Sequence, residues 1–153
     1  LMAATLVDAD PANAAAYAAN AAAAKARIEA TATGIKAQLS PARGAKYIVF
    51  HDAYQYFERH FDLPASGAIA LSDASKPGPA RIAEIRDIVE QDKITCVFAE
   101  PQFNSGVIDA VFEGTGVKTG VIDPLGSALP PGAGFYGELL EGMAANMAAC
   151  LSD

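Results

Sequence analysis

Few side chains in this chain are suited to chemistry, and they recur at one kind of place. In the stretch KYIVFHDAYQYFERHF, residues 46–61, a hydrophobic run delivers His51 and Asp52 where the pattern turns helical. A second run, GAIAL, leads to Ser72 and Asp73, VFAEPQF carries Glu100, and VIDPLG carries Asp123. An imidazole among carboxylates is a donor set for a divalent metal, and neutral imidazole is the commonest metal ligand. The same residue types also do plainer work. Aspartate accepts hydrogen bonds from nearby backbone N–H groups, and Asp52, Asp73 and Asp123 each precede a helix-like segment or a proline. That role is the expected one for Asp52 and Asp73, while Glu100, next to Pro101, is expected to accept hydrogen bonds from the loop that follows. His51 is the candidate ligand.

A second histidine, His60, lies nine residues on. If both were on one continuous helix, steps of about 100° would place them half a turn apart, on opposite faces, unable to grip one ion. His60 is therefore expected at a solvent-facing helix end, where the negative end of the dipole favours it. Nucleophilic chemistry has little support: there is no G-x-S-x-G, C-x-x-C, P-loop or G-x-G-x-x-G pattern. Cys96 sits within an apolar run, where burial makes a thiol inert. A competing reading from another class is a metal-assisted hydrolase with Glu100 as general base. It requires a closed, water-activating site and a substrate pocket, and the chain offers too few ligands for a zinc site of three or four.

The elements that must position these residues are legible from periodicity. Asp10 followed by Pro11 reads as a helix start, and the alanine-rich run to about Leu39 has high helix propensity. Tyr17, Ala21, Ala24, Ile28, Ile35 and Leu39 fall on one weak apolar stripe. SPARG, residues 40–44, ends that helix. Strand-like runs KYIVF, GAIAL, ITCVFA and GVKTGVI then alternate with helical segments, the clearest at 79–91, 105–114 and 135–151. Such alternation implies βαβ units with right-handed crossovers. The expected fold is α/β: a long helix over residues 1–43, then a four-stranded parallel sheet flanked by helices over 44–153. Continuous rather than alternating apolar strands point to burial on both faces. In open parallel sheets ligands bind beyond the carboxyl ends of the strands, which is where His51, Glu100 and Asp123 fall.

Bulk properties narrow the partners. A chain of 153 residues, 52% hydrophobic and 19% charged, fits one globular domain. Its net charge of -7 argues against nucleic acid or an anionic membrane surface and is compatible with a cationic ligand. Charges interrupt every apolar stretch well short of the roughly 20 residues needed to span a bilayer. The opening LMAATLVDAD has no basic n-region, so it does not read as a signal peptide. Cys96 and Cys150 are compatible with buried thiols or with one disulfide of an exported protein.

Taken together, VFHDAYQYFERHFDL, KPGPARIAEIRDIVEQDKITCVFAEPQFNSGVIDAV, GVIDPLG and FYGELLEGMAANMAACL resemble the carboxyl-terminal half of the zinc-binding solute-binding proteins of bacterial ABC importers, the ZnuA type of the TroA-like class. The resemblance covers nearly the whole chain. It implies a non-enzymatic, periplasmic protein that captures a zinc ion and passes it to a membrane permease, with the ion held in a cleft between two lobes. It further implies His51 as the ligand given by this lobe, Asp123 as an auxiliary ligand, and a disulfide joining Cys96 to Cys150. Imidazole at this position suits borderline-soft zinc, whereas a carboxylate suits manganese. The family's amino-terminal lobe, which supplies two further histidines, has no counterpart in these residues. The surfaces it would cover lead to a further expectation, a homodimer in which the long helix packs on, or is exchanged with, a second copy.

Overall fold

Proline decides how the chain begins. In the computed structural model, which describes residues 1–70, 77–103 and 106–152, helix α1 spans Met2–Ala9 and ends at Asp10, whose backbone is extended (φ -143°, ψ 77°). Pro11 has no N–H and disfavours helical geometry in the residue before it, so α1 cannot run on. A single 3-10 turn, Pro11–Asn13, leads into α2, Ala14–Gln38. The single helix expected over residues 1–43 is thus two helices with a turn between them. Asp10 does not cap the backbone; its carboxylate accepts from the Asn13 amide at 2.8 Å and the Tyr17 hydroxyl at 2.9 Å, and these bonds lower its pKa. The chain divides into two compact units, Leu1–Gly34 and Ile35–Asp153, so the boundary falls inside α2 rather than after it. No residue of the first unit is buried. Of the expected stripe only Ile35 and Leu39 are buried, while Ile28 remains 46% exposed. Alanine side chains are too small to bury much area.

The second unit follows the expected alternation closely. Its strands are β1 Tyr47–His51, β2 Gly67–Ala70, β3 Cys96–Ala99 and β4 Lys118–Val121, all parallel, in the order β2-β1-β3-β4. Between and after them lie α3 Gln55–Phe61, α4 Pro79–Asp92, α5 Gly106–Phe112 and α6 Phe135–Leu151. The turn expected at Ser72 and Asp73 lies outside the described residues. β1 and β3 are central and buried throughout, save for His51 at the end of β1. Ile48, Phe50, Val97 and Ala99 join Ile85, Val89, Ile108 and Val111 of α4 and α5 in one core cluster. β4 departs from the expectation of burial on both faces: it is the sheet's edge, with Lys118, Thr119 and Val121 exposed.

Cys96 and Cys150 form a disulfide that ties β3 to α6. On the same face Phe98 packs edge-on to Tyr47, ring centroids 5.5 Å apart, and Gly120 of β4 is its register partner. A Cβ at Gly120 would lie 2.6 Å and 2.8 Å from two Phe98 ring carbons and 3.4 Å from the Cys150 Cβ. Glycine here serves close packing of the sheet against Phe98. Gly120→Ala should therefore lower stability by about 1–3 kcal/mol, the usual cost of overpacking, read as a lower urea midpoint with the disulfide intact. An unchanged midpoint would show that the ring has room to yield.

Candidate metal centre

The strand order places His51 at a switch point of the sheet. From β1 the chain moves outward to β2, then crosses back to β3 on the other side of β1. Loops leaving β1 and β3 diverge at such a switch point and leave a cleft beyond the strands' carboxyl ends. His51 is the last residue of β1, and Glu100 is the first residue after β3. Forty-nine positions apart in the chain, they meet with His51 Nδ1 2.6 Å from Glu100 Oε1. The Glu100 side chain is 1% exposed and that of His51 14%.

Aromatic rings fix the imidazole from its flanks. Phe103 stacks on Phe50 at 4.6 Å and stands edge-on to His51 at 5.4 Å, and Tyr54 approaches His51 edge-on at 6.1 Å. Burial pushes the Glu100 carboxyl up from its ordinary pKa, against the opposing pull of Tyr54 and His51. Burial also raises the Tyr54 hydroxyl, and the neighbouring Glu100 charge adds to that shift. Tyr54 Oη and Glu100 Oε2 are buried near one another without completing a hydrogen bond.

The expected roles fare differently. Glu100 was expected to serve the following loop with its side chain; instead its backbone carbonyl accepts the Phe103 N–H at 3.2 Å, and the carboxylate is left for His51. Asp52 does not cap α3, whose first flanking residue is Tyr54; it accepts from the Gln55 side chain at 2.7 Å. His60 lies exposed in the last turn of α3, as expected, but the half-turn argument does not apply, because His51 belongs to a strand. Asp123 organises the turn after β4. Its Oδ1 accepts from the Gln102 amide at 2.6 Å and the Leu125 N–H at 3.0 Å, and its Oδ2 from the Ser127 N–H and hydroxyl at 2.6 and 2.7 Å. Burial opposes its charge, yet these bonds outweigh it and pull the carboxyl down to about 2. Among the described residues no group of three or more His, Cys, Asp and Glu could hold a metal ion. The arrangement fits one oriented imidazole donor rather than a closed coordination sphere.

The fold and site together define a class, a parallel α/β lobe that carries a carboxylate-held histidine at the switch point of its sheet. The chain belongs to the family of the zinc-uptake complex component A, periplasmic, whose profile matches residues 1–150. It is 43% identical over 148 residues to the high-affinity zinc uptake system protein ZnuA of Brucella suis biovar 1 (strain 1330), an alignment covering 97% of this chain and 44% of that protein. It also matches a solved structure of ZnuA with TM-score 0.81 and 28% identity, over 99% of this chain and 54% of the other. The solute-binding protein FpvC of Pseudomonas aeruginosa, solved in complex with Mn2+, matches with TM-score 0.82 and 26% identity, over 98% and 55%. The chain thus spans less than half the length of the curated relative. The family is one of transport components, not enzymes, and the hydrolase reading is set aside.

The turn built on Asp123 gives a prediction with a defined pH dependence. Its carboxyl titrates near 2 when folded, against an ordinary 3.8. A depressed folded-state pKa contributes stability that is present above about pH 4 and is lost as pH falls toward 2. Asp123→Ala should cost about 1–2 kcal/mol at pH 7 and progressively less below pH 4, measured by denaturant unfolding across that range. A cost independent of pH would contradict the hydrogen-bonded carboxylate as its source.

Proposed function

We propose that this chain is the carboxyl-terminal lobe, residues 44–153, with the interlobe helical segment, residues 1–43, of a periplasmic zinc-capture protein that delivers the ion to the membrane permease of an ABC importer. The observation that carries this reading is His51, anchored by a buried carboxylate at the sheet's switch point. Ligating histidines characteristically bind the metal through one ring nitrogen and donate the other to a carboxylate or carbonyl. With Nδ1 committed to Glu100, the coordinating atom is Nε2. Zinc is favoured over manganese because the donor is imidazole. Zinc here is cargo and takes part in no reaction.

Asp123 is the auxiliary ligand in this reading. To serve, it would exchange one of its four hydrogen bonds for the ion. In this reading the remaining ligands come from outside these residues, which span 44% of the curated relative. The Cys96–Cys150 disulfide accords with an oxidising compartment. Self-association accompanies the proposal: Leu1–Gly34 buries no residue and exposes Leu1, Met2, Leu6 and Ile28, which favours a homodimer through this segment. Light scattering at micromolar concentration should then give twice the chain mass; a monomer mass would exclude it.

Calorimetric titration with Zn2+ tests the central assignment. The chain should bind zinc weakly, since one imidazole does not close a tetrahedral site, and His51→Ala should weaken binding roughly tenfold or more. His51→Ala binding zinc as well as the parent chain would overturn the assignment.

A further inference from the structure

We infer that Glu100 is the positioning residue of the metal site: its buried carboxylate keeps the His51 proton on Nδ1 and so makes Nε2 the metal donor. The inference rests on the reading of His51 as a zinc ligand. A neutral imidazole exists as two tautomers, and only its unprotonated nitrogen can coordinate an ion. An ionised carboxylate accepts hydrogen bonds and cannot donate them. At 2.6 Å from Glu100 Oε1, Nδ1 must then be the protonated nitrogen.

Several features make this more than a chance contact. Glu100 is the one polar or charged residue in the buried set of the described residues, at 4% exposure. A carboxylate removed from water is costly unless it is paired and hydrogen-bonded. The loop after β3 does not require it, since the backbone carbonyl of Glu100 holds Phe103. Tyr54 and Phe103 stand edge-on to the ring, hindering the flip that would exchange its nitrogens.

The test uses the 15N-labelled chain without metal at pH 8, with long-range 1H–15N correlations reporting the tautomer of His51. The expected result is a neutral ring protonated on Nδ1. In Glu100→Gln the Nε2–H tautomer should gain population, and Zn2+ affinity should fall about 10- to 100-fold. A wild-type ring protonated on Nε2, or on both nitrogens, overturns the inference, as does a tautomer unchanged in Glu100→Gln. The wild-type spectrum decides the matter even if the variant does not fold. An Nδ1–H ring that zinc leaves unperturbed would instead refute the proposed function while sustaining the role of Glu100.

Discussion

The hydrogen bond between His51 and Glu100 depends on the sheet, and the site depends on that bond. Two residues 49 positions apart meet only because β1 and β3 are neighbours, with β2 placed on the far side of β1. Hydrophobic burial fixes that neighbourhood. Ile48, Val49, Val97 and Phe98 are buried almost completely, and a slip of one residue in either strand would exchange the side chains packed on one face of the sheet with those packed on the other, breaking the fit of both layers. The disulfide to α6 and the close seat of Phe98 over Gly120 hold β3 from its other face. A well-packed frame therefore presents one imidazole in one orientation.

That single orientation contrasts with the incompleteness of the coordination sphere. His51 has a partner that orients it, whereas Asp123 is already occupied by four donors. An ion would meet a prepared nitrogen and a carboxylate engaged elsewhere. In the proposed reading such a surface supplies part of a site; the chain spans 44% of its curated relative.

Much of this was legible in the sequence, for identifiable reasons. Apolar runs punctuated by glycine and proline located all four strands to within two residues at either end, and α6 at its full extent. His51 at a strand's carboxyl end was visible as a ligand candidate from position alone. Glu100 was not, because its role depends on strand order, which one sequence does not reveal. The start at Asp10 and Pro11 was legible, since proline favours the first turn, but α1 before it, Met2–Ala9, was missed. β4 was read with the other strands as buried on both faces, yet it lies at the sheet's edge with three of its four residues exposed.

The most direct test of the account is to follow the ring Cε1–H signals of the two histidines by NMR as Zn2+ is added. The account predicts that His51 shifts while His60, exposed at the end of α3, does not. A response at His60 alone, or none at His51 with zinc in excess, would contradict it.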